Sequence, residues 1–424
     1  MRVRELSASG AFGCVCALAL LAAPAFAQDE PLILSGEISA ATGLVDGEAA
    51  GDVDAVIRAE GTTILEGGLE LGAGTALRLD GQRPHQINAG GRYSSLLAGG
   101  TRGVGPQDGD VFLEGAYLFA RGGLGSLYLG RDDGVATRLA VTSPSIFRAV
   151  RVGDWRTDLT GLNDVHTVND FSGTASKVTY MPPAGLFGGV IGQVQLGLSY
   201  APRLAECGPD ACAPQDGYVV ALAPDGAPLA IPAQQSWRDV VEAAVYYQND
   251  IQVDGAPLAV GLGASYVRAA DDGADLEPGT AAAFGLDDYQ SYAFGVNLNY
   301  GPVTVGGSVK STNAGLSADA QGEDYLAFDA GVTYEAGDWN FMLGYGAADA
   351  ERDAGLLVGP QTVGPVVPYA LDRRTQTAQA GVSKVLGQGV RLGVAAQFVD
   401  SDKPDPLGGK EDAAAIVLES SIKF

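Results

Sequence analysis

Histidine, lysine and cysteine are scarce in this 424-residue chain, which has two His, six Lys and four Cys. Both histidines, His85 and His166, fall in segments read as loops, and neither has a Ser, Cys or carboxylate at a recognisable catalytic spacing. The patterns G-x-S-x-G, H-E-x-x-H, C-x-x-C and G-x-G-x-x-G are absent, so no motif for nucleophilic, metal-assisted or nucleotide chemistry presents itself and an enzyme is not expected. Positive charge is also in deficit, with 26 Lys plus Arg against 51 Asp plus Glu and a net charge of −25. A nucleic-acid partner is excluded on that balance, because a polyanion is repelled. Beyond the first 27 residues no apolar run approaches the roughly 18 residues that a membrane helix requires.

What the chain has in abundance is glycine, 61 residues, and 46% hydrophobic side chains beside only 18% charged ones. At the start, Arg2 and Arg4 precede an apolar stretch from Ala11 to Ala23 and the small-x-small triplet Ala25-Phe26-Ala27. This predicts a signal peptide over 1–27, export, and a mature chain of 28–424 that begins at Gln28. Cys14 and Cys16 belong to that leader. Cys207 and Cys212 enclose a turn-like Gly-Pro-Asp-Ala spacer, a candidate disulfide in an oxidising compartment. No second cysteine pair or neighbouring histidine completes a metal site there.

The mature chain alternates apolar with small or polar residues over stretches of about ten, the period of a strand whose two faces meet different surroundings. Tyr292, Phe294, Val296, Leu298 and Tyr300 share one face, and Ser291, Ala293, Gly295, Asn297 and Asn299 the other. The pattern predicts strands near 31–43, 52–61, 67–80, 110–121, 124–131, 173–181, 189–200 and 238–249. It predicts eight more near 256–267, 287–300, 302–312, 324–336, 338–348, 374–386, 388–400 and 412–424. Short Gly, Pro or Asp turns take turns with long polar segments at 81–109, 132–172, 201–237, 268–286 and 349–373. Short turns on one rim and long loops on the other suit a closed meander crossing a membrane, which leaves no strand edge. Tyr200, Tyr266, Tyr345 and Phe398 fall near one rim, and Tyr180, Tyr247, Tyr300, Tyr334, Trp339 and Phe424 near the other, as paired aromatic girdles would. The expected fold is therefore all-β, a transmembrane antiparallel up-and-down barrel of about 16 strands.

The segment 132–172 is too long and too charged for a connector, and a loop of this length folded inward would narrow the lumen. It carries the candidate constriction acids Asp132, Asp133, Asp154, Asp158, Asp164 and Asp170, together with Arg138, Arg148, Arg151, Arg156 and His166. Strand parity turns Arg58 and Arg78 inward with Glu60, Glu70 and Glu114, and Arg391 inward in a later strand. Arg58, Arg78 and Arg131 are the candidate facing bases, so that an acidic loop would oppose a basic wall and favour cations.

Three local stretches fit one family. Leu124 to Arg131, Leu-Gly-Ser-Leu-Tyr-Leu-Gly-Arg, resembles a fifth-strand motif just before a constriction loop, and Ser176 to Pro183 resembles the strand that follows it. The chain ends at Phe424 after alternating Ile416, Leu418, Ser420 and Ile422. In these features it resembles the general diffusion porins of Gram-negative outer membranes, particularly the sixteen-stranded alphaproteobacterial kind. The Pro-Glu-Phe-Gly-Gly sequence of enteric relatives is missing, and Ser143 to Phe147 is the nearest segment. The resemblance implies a homotrimer in outer-membrane lipid and lipopolysaccharide, a third loop folded inward, and passive diffusion of ions and small hydrophilic solutes. The leading expectation is thus a water-filled, weakly cation-selective outer-membrane pore. A substrate-selective channel, an exported soluble β-rich adhesin or binding protein, and a barrel-shaped enzyme are the other readings. No cofactor is assigned; Ca²⁺ at the acidic loops is the one ion considered, without an EF-hand pattern to support it.

Overall fold

A computed structural model describes residues 32–80, 110–154, 158–185, 192–204, 217–222, 228–233, 237–271, 288–313, 324–351, 373–387, 389–402 and 409–424. The expected leader, His85, Arg156, Cys207 and Cys212 lie outside the described residues. The first strands are β1 (Leu32–Val45), β2 (Glu48–Ile64), β3 (Glu70–Asp80), β4 (Asp110–Gly122) and β5 (Gly125–Arg131). One helical turn, α1 (Val135–Arg138), opens the long inward loop, and β6 (Ser176–Met181) and β7 (Gln193–Arg203) follow. The remaining strands are β8 (Gly217–Leu222), β9 (Pro228–Ala233), β10 (Trp237–Val253), β11 (Ala256–Asp271), β12 (Tyr289–Tyr300), β13 (Val303–Thr312), β14 (Asp324–Ala336), β15 (Trp339–Glu351), β16 (Arg373–Gly387), β17 (Val390–Asp402) and β18 (Glu411–Lys423).

Sixteen of these strands close into one barrel in which sequence neighbours pair antiparallel, and β18 returns to β1 with Glu37 opposite Lys423 and Val45 opposite Ala415. The expected count is met. The one architectural addition is the small β8–β9 hairpin, a separate two-stranded sheet within the segment read as a plain loop. Its composition alternates too briefly to stand out beside strands of ten or more residues.

Alternation decides which face is which. On β12 the outward Tyr292 and Phe294 are 56% and 48% exposed, whereas inward Ser291 is fully buried. This is the inverse of a soluble sheet, with aliphatic and aromatic rows outside and small or polar residues inside. Asp46-Gly47 and Asp254-Gly255 make the tightest turns, with φ of 51° and 88° in the first and 51° and 83° in the second. Two successive positive φ values define the type I′ turn that matches strand twist, and Asp-Gly is the pair that adopts it cheaply. The first of these turns sits on the long-loop rim, so β1 and β2 are joined there by only two residues.

Inside, residues 132–154 and 158–175 run along the lumen and lie close on the far wall, because glycines stand beneath several of the contact points. A Cβ on Gly295 would collide with the Val141 carbonyl oxygen, one on Gly263 would crowd the Leu139 carbonyl, and those on Gly381 and Gly393 would strike the Phe147 ring. Gly331 and Gly346 likewise underlie Pro144 and Val152. The returning limb packs into an apolar cluster in which Phe171 stacks on Tyr289 at 3.7 Å, with Trp237 edge-on at 5.5 Å from Phe171. One side of the barrel interior is therefore a packed core that reaches β1, and the open passage is left beside β2 to β4.

Gly295→Ala should cost about 1–3 kcal/mol through overpacking against the loop backbone. Gly61→Ala, where a Cβ meets nothing within 4 Å, should stay within about 0.5 kcal/mol of the parent. Denaturant unfolding of the two variants in detergent, side by side, checks the difference.

Candidate functional site

The constriction begins where the chain leaves β5. Asp132 forms an ion pair with Arg138 and accepts the Asp133 amide at 2.8 Å, while Arg138 Nε donates to the Asp133 carbonyl at 2.9 Å. The Arg138 guanidinium lies 4.4 Å over the Tyr128 ring, a cation–π contact that fixes the loop root against the wall. Burial pushes the Asp132 carboxyl above its ordinary range, with the Arg138 charge opposing that shift. At α1, the Val135 amide donates to Ser199 Oγ at 3.0 Å and the Ala136 amide to Glu242 Oε2 at 3.2 Å.

Three of the candidate acids do not face water. Asp158 is 3% exposed and accepts the amides of Thr160, Leu162 and Asn163 at 2.9 to 3.0 Å, together with the Thr160 hydroxyl. Asp164 is buried on the Thr375 hydroxyl at 3.1 Å, and Asp170 on His166 Nε2 at 2.8 Å. Asp154 is half-buried, 3.7 Å from the other ring nitrogen of His166, and the two residues pair across the loop limbs. These carboxylates organise the loop: Asp158 closes one turn on its own amides, Asp154 and Asp170 flank the His166 ring, and Asp164 ties the loop to Thr375 of β16.

The facing wall carries a mixed network. Arg78 grips Asp54 with Nε and Nη2, both at 3.0 Å, and Glu114 with Nη1 at 3.0 Å; Arg58 reaches the same Glu114 at 3.6 Å. Arg121 bonds Glu60 and Glu70 at 3.4 Å, and Tyr117 donates to Glu60 at 2.6 Å. The Tyr117 and Phe119 rings lie across Gly74 and Gly72 of β3, and the Arg121 guanidinium stacks 3.9 Å over Phe119. Arg131 ends β5 half-buried, opposite Ala116 and Ser176. Arg391 does turn inward, donating to the Ile146 carbonyl at 2.8 Å.

Parity therefore turns Arg58, Arg78, Glu60, Glu70 and Glu114 inward, while both the wall and the loop carry charges of both signs. Among the described residues the open wall of β2 to β4 presents Asp52, Asp54, Glu60, Glu70 and Glu114 against Arg58, Arg78 and Arg121. The loop presents Arg138, Arg148 and exposed Arg151 beside Asp132, Asp133 and Asp154. Arg58, Arg78 and Arg121 are each ion-paired, so they neutralise rather than project charge. Sequence reading missed Glu242, Asp329 and Glu419, buried wall acids that bind the loop. Asp329, for instance, accepts from the Ser308 amide, Ser308 Oγ, Ser143 Oγ and Thr167 Oγ1 within 3.2 Å. Their signal was available: an inward acid in a strand otherwise lined with small residues. Among the described residues no group of three or more His, Cys, Asp or Glu is arranged to hold a metal ion.

A closed sixteen-strand barrel, apolar outside and narrowed by an inward loop, defines a membrane-spanning channel. The sequence matches the model of the Gram-negative porin family over residues 14–404, and the chain belongs to that family. It is an outer-membrane channel. Among solved structures it is similar to an anion-selective porin from Comamonas acidovorans, at 15% identity over 93% of this chain and 100% of that one, with a TM-score of 0.51. OmpF of Salmonella typhi in complex with daunomycin matches at 15% identity, 93% and 98% coverage and a TM-score of 0.51. OmpT of Vibrio cholerae, in its trimer form, matches at 12% identity, 94% and 100% coverage and a TM-score of 0.50. At such identities the likeness is one of fold. A comparison with proteins of curated function finds no match.

Asp158→Ala should lower stability by about 1–3 kcal/mol, because buried amides lose a charged acceptor; a lowered denaturation midpoint checks this. On acidification Asp132 should take up its proton at a pH above the usual carboxylate range. Ion preference measured against pH should therefore include a step that Asp132→Asn removes.

Proposed function

We propose that the channel conducts ions and small hydrophilic solutes by passive diffusion with a weak preference for cations. The observation that carries this reading is the excess of carboxylates over arginines on the open wall of β2 to β4. In a narrow, low-dielectric passage such an excess lowers the energy of cations and raises that of anions. Asp54, Glu60 and Glu70 are the acids best placed to act, being part-exposed and clear of the loop interior. Asp158, Asp164 and Asp170 act indirectly, by shaping the loop. An exported leader over 1–27, a disulfide between Cys207 and Cys212, and contact with outer-membrane lipid and lipopolysaccharide belong to the same reading.

We also propose that the protein is a homotrimer associating through the outer face of β1 to β5. Among the described residues the exposed large apolar side chains from Leu32 to Leu129 are all aliphatic, whereas those from Val178 onward include Tyr180, Tyr200, Tyr292, Trp339 and Phe398. An aromatic girdle anchors strands at lipid headgroups, and its interruption by small outward residues such as Ala55, Ala59 and Ala73 suits close approach of a second barrel. The trimer form of the Vibrio cholerae relative supports the same assembly.

Planar-bilayer recording across a salt gradient should give ohmic steps with a reversal potential on the cation-selective side. Glu60→Gln combined with Glu70→Gln should shift that potential toward the anion side without abolishing the steps; an unchanged potential would remove these acids from the selectivity mechanism. Ala73→Trp should convert trimers to monomers in sedimentation runs in detergent, and survival of the trimer would place the interface elsewhere.

A further inference from the structure

The apex of the inward loop reaches the place where the barrel closes. The amides of Arg148 and Ala149 both donate to the Glu419 carboxylate of β18, each at 2.8 Å. The Arg148 guanidinium forms an ion pair with Glu37 of β1. Ile146, Phe147, Ala149 and Val150 bury themselves in one cluster with Ala41 of β1 and with Ala415 and Val417 of β18. In the β1–β18 ladder Ala41 stands directly opposite Glu419, and Glu37 opposite Lys423. One segment of five residues, 146–150, is thus bonded to, and packed on, both strands of the closing pair.

That pair joins the two ends of the barrel sequence, so it carries the largest loop-closure cost of any pair in the sheet. A half-closed barrel also leaves two strand edges without partners in hydrocarbon, where each free N–H or C=O is costly. The apex lies in the middle of the chain and meets both edges at once. We propose that the constriction loop has a second function, as an internal clasp that holds the β1–β18 seam shut, independent of the ions the pore prefers. Glu419 of β18 and Arg148 of the loop are its positioning residues, the first accepting the loop amides and the second pairing with Glu37 of β1.

The test compares three proteins with Cys207 and Cys212 replaced by Ser: the parent, a clasp variant carrying Arg148→Ala and Glu419→Ala, and a control carrying Ser143→Ala and Thr167→Ala. The control removes two loop contacts to Asp329 on β14, away from the seam. Unfolding rates in urea are read in lipid vesicles by gel mobility of the folded form. Loss of charged-acceptor hydrogen bonds should speed unfolding of the clasp variant about tenfold or more, with a clearly smaller change in the control. Each protein is then made with Ala40→Cys and Ser420→Cys, directly opposed residues of β1 and β18 at a spacing that a disulfide spans. Oxidation should bring the clasp variant back to the rate of the oxidised parent. Where the clasp variant fails to fold, recovery of folded protein on oxidation is the expected result, and Glu419→Gln alone, which keeps one acceptor, should unfold at an intermediate rate. Equal acceleration in the control, or no rescue by the seam disulfide, would overturn the proposal.

Discussion

A polypeptide in hydrocarbon has no water to satisfy its backbone, and this constraint fixes most of what is seen here. Each strand must pair on both sides, so the sheet has to close, and closure forces an even alternation in which one set of side chains faces lipid and the other faces the interior. Once a barrel of sixteen strands exists its interior is too wide to be filled by its own wall residues. The inward loop resolves that geometry by filling one side and leaving a passage on the other. Channel function is therefore a by-product of a packing solution, and its selectivity depends on which wall the loop leaves uncovered.

Much of this was legible in the chain because period-two alternation is a local signal. The pattern around Tyr292 to Tyr300 or Val390 to Phe398 needs no tertiary knowledge to read, and the inward parity of Arg58, Arg78 and Glu114 follows from the same count. What a carboxylate does, by contrast, depends on neighbours that sequence does not show. Asp158 and Asp54 look alike on paper; one turns back onto three amides of its own loop, and the other faces the passage beside Arg78. Glu242, Asp329 and Glu419 escaped attention for a related reason, since an isolated acid in a small-residue strand reads as a solvated lumen group until a loop is laid over it. The β8–β9 hairpin was hidden by its short strands, six residues each.

The electrostatic pattern follows from that distribution of roles. Acids committed to holding loop backbone are shielded by the hydrogen bonds they accept, and arginines committed to Asp54, Glu60 or Glu114 are neutralised in place. On the proposed reading only the imbalance among part-exposed groups acts on a passing ion, and a weak preference is compatible with the very acidic composition of the chain.

The glycines under the loop give mutation a direction. On the covered wall the bore is set by atoms that are missing, so nearly every substitution there adds volume and drives the loop into the passage. On the open wall it is set by long charged side chains, and truncation removes volume. Random change in the first region throttles the channel and in the second dilates it, so a lineage under pressure to exclude toxic solutes has many one-step routes through the glycines and few through the charges.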